Sequence, residues 1–182
     1  IKEHFDQKAA AEEASSSLWN LYWDKGIARK EPAAVREWEK KLSAEREIHE
    51  VLQYFFHCQW MTLKRYANER GIRIVGDIPI FVAQDSADLW SRRELFRVDP
   101  DGNPCFIAGV PPDYFSSTGQ LWGNPLYDWG ALAGENFTWW IERIRKALSY
   151  VDILRIDHFR GFVSSWHVKG GAKTAKKGRW VK

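Results

Sequence analysis

The sequence predicts an α/β protein: part of a (β/α)8 barrel of the TIM type, with a long insertion after one strand and a helical segment ahead of it. Three observations predict this. Residues 72–82 are β-branched and almost continuously apolar, as a parallel strand buried on both faces should be. Residues 136–148 carry apolar side chains at helical spacing and lead directly into a second apolar run at 151–157. A long helix over 45–70 precedes the first strand, so helix and strand alternate. Strand, crossover helix and strand then form one right-handed βαβ unit.

The elements follow in order. Residues 1–44 read as an accessory helical segment, set apart from a partial catalytic barrel over 45–182. Ser15, Ser16 and Ser17 break its first part, and Leu18 to Trp23 form an aromatic cluster. Pro32 suits the first position of a helix over 32–42, with Val35, Trp38 and Leu42 on one stripe. In the helix over 45–70, Ile48, Leu52, Phe55, Phe56, Leu63 and Tyr66 keep the helical period. Gly71 supplies a left-handed cap. His49 and His57 lie on this helix eight residues apart, too far for a close metal pair, and read as structural or exposed. In the strand that follows, Pro79 cannot donate to a ladder, so pairing is expected to stop near Ile78, leaving Asp77 at the strand's C-terminal tip.

The insertion over 83–135 far exceeds the usual βα loop of about 2–6 residues. It is aromatic and rich in turn signals. Phe96 to Val98 and Cys105 to Ile107 flank Asp99-Pro100-Asp101-Gly102-Asn103, which reads as a hairpin turn rather than a calcium loop, since the closing Glu is missing. In the helix over 136–148, Phe137, Trp140, Ile141, Ile144 and Leu148 mark the side expected to be buried.

Chemistry concentrates where the second strand ends. Arg155 and Asp157 are two residues apart, so their side chains share a strand face. A cation and a carboxylate there are costly in a core but suit the C-terminal mouth of a parallel barrel, where catalytic groups sit. A structural ion pair is the plain alternative.

Composition excludes other classes. The net charge of +3 is mild, and the basic stretch from Lys169 to Lys182 carries no nucleic-acid motif, so it reads as a solvated tail or loop. No apolar run reaches the ~18 residues of a membrane span. Cys58 and Cys105 make no disulfide framework and favour a reducing, cytoplasmic setting. No metal site with convincing ligand spacing and no cofactor motif occurs. Eleven Trp and 15% aromatic residues are high; most rings are expected in the core, while the remainder offer flat apolar faces suited to sugar rings. Ile1 reads as entering a helix already under way and Lys182 lacks any stop signal, so the chain is expected to be an internal piece of a longer protein.

Four ordered segments carry a resemblance: Gly76 to Val82, Asp85 to Trp90, Gly109 to Asp128, and Arg155 to Phe162. Together they resemble the amylomaltase family, the 4-α-glucanotransferases or disproportionating enzymes of the wider α-amylase clan. The likeness runs over 45–182 and more loosely over 1–44. It implies transfer of α-1,4-glucan segments between maltooligosaccharides, or to glucose, by a retaining double displacement. It implies Asp157 as nucleophile, Arg155 as the group that holds that carboxylate charged and oriented, and His158 against the sugar beside the cleaved bond. It places Asp77 near bound glucan, and Asp113, Tyr114, Gln120 and Trp122 as contacts from a loop over the groove. The family's acid/base Glu and a third carboxylate follow later strands, so these 182 residues alone are expected to be inactive. The implied partners are α-1,4-glucans and maltooligosaccharides, with no cofactor, metal, nucleic acid or membrane; oligomeric state stays open. An α-glucan hydrolase of the same clan and a non-catalytic glucan-binding protein are the alternatives.

Overall fold

The computed structural model describes residues 1–182. Helix α1 spans Lys2–Ala11, α2 Lys25–Ala28, α3 Pro32–Lys41 and α4 Ser43–Asn68. Strand β1 covers Val75–Pro79, followed by α5 Ala87–Ser91, β2 Phe106–Val110 and β3 Gln120–Pro125. Then come α6 Trp129–Gly134, α7 Thr138–Tyr150, β4 Ile153–Asp157, β5 Ser165–Lys169 and β6 Gly178–Val181. The chain is thus α/β.

Two sheets form. In the first, β1 and β4 pair in parallel, in a register that sets Asp77 opposite Arg155 and Pro79 opposite Asp157. Asp152 fixes that register at its start. Its carboxylate accepts from the Ile74 backbone N–H at 2.8 Å, Asn68 Nδ2 at 2.8 Å and Lys64 Nζ at 2.6 Å, tying the end of α4 to both strands. Those donors pull its pKa down to about 2, the backbone N–H first. Pro79 closes the ladder, one residue beyond the expected limit.

The expectation that these strands are buried on both faces does not hold. Alternate residues face solvent along both strands, with Val75 61% and Ile153 38% exposed. A pair of strands covered only by α4 and α7 on one side leaves the other side bare. The stripe on α4 is likewise uncovered. None of its residues is buried, and Ile48, Leu52, Phe55, Phe56, Leu63 and Tyr66 are all exposed: toward its start the helix touches α1 through the exposed His49–Glu3 pair, and toward its end it meets α7 and the strands. There Trp60 Nε1 donates to the Tyr150 carbonyl at 2.8 Å. Helix α7 starts two residues later than its pattern suggests, because Asn136 and Phe137 both adopt left-handed backbone (φ 55°). Trp139 and Trp140 are buried, but Phe137, Ile141 and Leu148 are exposed.

The second sheet, antiparallel in the order β3-β2-β5-β6, was not foreseen. Its central pair joins residues 106–109 to 166–169, a separation that short-range patterns do not register. The basic end of the chain is therefore not a loose tail: β6 pairs with β5, and Ala175 is fully buried. The hairpin turn is as read. Val98 bridges Pro104, and the Asp99 carboxylate accepts from the backbone N–H groups of Asp101 and Asn103, each at 2.9 Å.

One aromatic core joins the N-terminal helices to the insertion and α7. Phe5, Trp19, Trp23, Ile27, Trp38 and Leu42 pack in one cluster with Ile80 to Val82, Leu89, Leu95, Phe96, Leu126, Tyr127, Leu132, Trp139 and Trp140. Burying each large side chain contributes about 1.5–3 kcal/mol, so the first 44 residues and the insertion stabilise one another.

Candidate active site

At the open face of the parallel pair, Arg155 grips two carboxylates. Its Nη1 donates to Asp77 Oδ2 at 2.9 Å and its Nη2 to Asp157 Oδ1 at 3.1 Å. The register places all three side chains on one side, since alternate strand residues share a face. Asp77, Arg155 and Asp157 are 52–63% exposed at the side chain. Ion pairs this exposed contribute about 0–1 kcal/mol, so fold stability does not account for the arrangement. A planar guanidinium with both its amino groups engaged does fix where two carboxylates point.

The next residue turns the chain. His158 has left-handed backbone (φ 52°), which swings its ring away from the strand and onto the insertion. Its ring meets Trp122 edge-on at 4.8 Å and lies 6.4 Å from Phe81. Burial lowers its pKa, against the opposing pull of Asp157, so the ring is neutral near pH 7. Its Nε2 is buried with no partner. Trp122 in turn donates from Nε1 to Gln120 Oε1 at 3.1 Å. Trp122 thus lies against His158, with Gln120 bonded to it.

Asp113 and Tyr114 are placed differently. Asp113 Oδ1 accepts from the Phe115 and Ser116 backbone N–H groups at 2.9 and 2.8 Å, building a tight turn. That turn holds Tyr114 and Phe115 out at 97% and 92% exposure, edge to face. Neither Asp113 nor Tyr114 bonds to the Arg155 cluster.

The supports were not legible in the sequence. Arg143 on α7 donates from Nη2 to the Pro79 carbonyl at 2.9 Å and from Nη1 to the Ile80 carbonyl at 3.3 Å. Tyr127 donates its hydroxyl to the same Ile80 carbonyl at 2.7 Å, and Asn124 Nδ2 reaches the Val82 carbonyl at 2.9 Å. These bonds fix the exit of β1, and so the position of Phe81 against His158 and Trp122. A polar residue between Trp139 and Ile144 on the buried side of α7 was the available signal. Gly161 completes the packing: a Cβ there would lie 2.6 Å from Ile80 Cδ1 and 3.3 Å from His158 Cδ2. Glu94 and Glu135 are both held by Arg92, and Glu135 also accepts from the Trp139 N–H. No group of three or more His, Cys, Asp or Glu side chains converges to hold a metal ion.

The model of the 4-alpha-glucanotransferase family matches residues 4–182. The chain belongs to that family. A 4-alpha-glucanotransferase of Synechocystis is 52% identical over 172 residues, covering 94% of this chain and 34% of the relative. One from Streptococcus pneumoniae is 47% identical over all 182 residues, again covering 34% of the relative. Among solved structures, amylomaltase from Streptococcus agalactiae in complex with acarbose superposes with a TM-score of 0.88 at 44% identity, over 99% of this chain and 36% of that one. Amylomaltase from Corynebacterium glutamicum, at 19% identity and TM-score 0.68, shares the fold. The chain spans about a third of the length of the curated relatives it matches.

Proposed function

We propose that the protein carrying this chain is a 4-α-glucanotransferase that moves α-1,4-glucan segments between maltooligosaccharides or onto glucose. The observation that carries the reading is the Arg155 fork holding Asp77 and Asp157 on one open strand face. Asp157 is the nucleophile. Its carboxylate attacks the anomeric carbon as the glycosidic C–O bond breaks, and the departing glucan oxygen takes a proton from an acid. The 4-hydroxyl of an acceptor glucan then attacks the same carbon, gives its proton to the base so formed, and releases Asp157. Retention follows from the two inversions. Arg155 keeps the attacking carboxylate oriented and leaves Asp77 facing the same space for the glucan. His158, with a neutral ring and an unpartnered Nε2, serves a sugar hydroxyl beside the cleaved bond. Gln120 and Trp122 contribute a ring face and an amide next to it, and Asp113 presents Tyr114 to the glucan from the loop above.

The acid/base belongs to the part of the enzyme outside these residues, since Glu94 and Glu135 are committed to Arg92. Residues 45–182 are accordingly part of a (β/α)8 barrel with 83–135 as an insertion, and 1–44 form a helical accessory segment. These 182 residues alone are inactive. The free, exposed Cys58 and Cys105 fit a cytoplasmic setting. The test is product analysis of the complete enzyme on maltotriose. Glucose together with longer oligomers is the expected outcome; shorter sugars alone would make it a hydrolase, and binding without turnover a glucan-binding protein.

A further inference from the structure

Of the three cations on α7, Arg145 and Lys146 are exposed and Arg143 alone is half-buried. None of the chain's ion pairs includes it. Its guanidinium lies 5.2 Å from the Trp139 ring and 5.0 Å from that of Trp140. An apolar side chain of similar length would cover those indoles equally well. What the guanidinium adds is directed hydrogen bonds, and they converge on one spot. Nη2 donates to the Pro79 carbonyl at 2.9 Å, and Nη1 to the Ile80 carbonyl and the Tyr127 hydroxyl, each at 3.3 Å.

The two carbonyls belong to successive residues. Along an extended strand such carbonyls point to opposite sides, so one guanidinium holds both only where the backbone bends. The chain bends at Ile80 and Phe81, directly after β1. Just before the bend, Pro79 pairs with Asp157 and has no N–H to give to that end of the ladder. Arg143 therefore fastens from the helix side a residue that the sheet holds with one donor fewer. Just after the bend, Ile80 is buried against Gly161, and Phe81 stands 6.4 Å from both the His158 and the Trp122 rings.

We propose that Arg143 is a positioning residue for glucan transfer: by holding the bend at Pro79 and Ile80 it sets the end of β1 and the ring of His158 in register with Asp157. It touches no glucan and acts through the residues it holds. The proposal rests on the function proposed above. Once the bend relaxes, Phe81 withdraws from His158 and Pro79 shifts against Asp157; a misplacement of about 1 Å costs roughly 100-fold in rate.

Arg143→Met in the complete enzyme tests this, since it keeps the apolar stem over the indoles and removes the donors. On maltotriose, kcat should fall at least about tenfold while KM changes less than about threefold. A second readout is the titration of the His158 ring, followed by NMR of histidine-labelled enzyme without glucan. Burial acts first on that ring, with Asp157 opposing it and Arg160 reinforcing it. Both charges remain in the variant, so loss of cover should raise the His158 midpoint by about half a pH unit or more. A merely structural Arg143 would lower the thermal midpoint and leave both readouts where they are in the folded enzyme. An unchanged kcat or an unchanged His158 midpoint would overturn the proposal. Should Arg143→Met fail to fold, Tyr127→Phe removes only the hydroxyl on the Ile80 carbonyl. It carries the same two expectations at smaller size, and the same two failures overturn the proposal. A parent enzyme that transfers no glucan would refute the proposed function, while the His158 midpoint would still decide whether Arg143 positions that ring.

Discussion

Asp157 carries no packing duty, so replacing it separates chemistry from folding. Its side chain is 63% exposed and bonded only to Arg155. Asp157→Asn in the complete enzyme should cut turnover by roughly 10^3–10^5-fold, on the scale of losing a reacting group, while glucan affinity and thermal midpoint stay close to the parent's. Turnover within tenfold of the parent would remove this residue from the mechanism. Arg155→Lys keeps the charge but cannot reach both carboxylates at once, so it should lower kcat more than it raises KM. His167 presents a different case. It is buried on β5 with Nε2 2.9 Å from Ser165 Oγ, and burial, then Arg97 and Arg179, press its pKa down to about 4. The unfolded chain takes that proton near pH 6.5, whereas the folded chain resists it until about pH 4. Stability is therefore whole above pH 6.5 and is lost as pH falls toward 4. Denaturant midpoints measured from pH 7 to pH 4 should drop, and drop less in His167→Gln.

Among the elements, the parallel pair and the long insertion depend on different local devices. Asp152 joins α4, β1 and β4, and its folded pKa of about 2 lies below the ordinary 3.8. Its contribution is present above the ordinary value and lost only as pH falls from there toward 2, a window distinct from that of His167. Asp152→Ala should expose the Ile74 and Asn68 amides and speed hydrogen exchange at the start of β1 at pH 7; exchange unchanged there would show that the register is held elsewhere. In the insertion, the hairpin turn rests on Trp19 through Gly102. Gly102→Ala meets both an unfavourable φ and the indole, and should cost at least about 1 kcal/mol, read as a lower thermal midpoint.

Across the whole molecule, local signals were read well and distant partnerships were not. The two parallel strands, their order and the facing of Arg155 and Asp157 were legible because period and charge placement are written within a few residues. The hairpin at Asp99 was legible for the same reason. The antiparallel sheet was not, since β2 finds β5 across more than fifty residues of intervening chain. The Arg143 bonds to Pro79 and Ile80 were hidden because a guanidinium beside two tryptophans reads as the polar edge of a helix. The stripe on α4 keeps its period and yet is uncovered: a period reports which residues share a face, not whether anything packs there. An apolar surface of that length is unusual on a free chain. The 182-residue chain by itself should bind a hydrophobic dye and self-associate, and the double change Leu52→Glu with Phe56→Glu should reduce both, as followed by fluorescence and light scattering.

The excursion that leaves β1 after Pro79 comes back to its own starting point. Tyr127, near its far end, and Arg143, on the helix beyond, both fasten to the carbonyl of Ile80. A detour stitched shut at its root behaves as a cassette. Changes around Tyr114, at its exposed tip, leave the strand that carries Asp77 in place, because Asn124, Tyr127 and Arg143 hold that strand's exit.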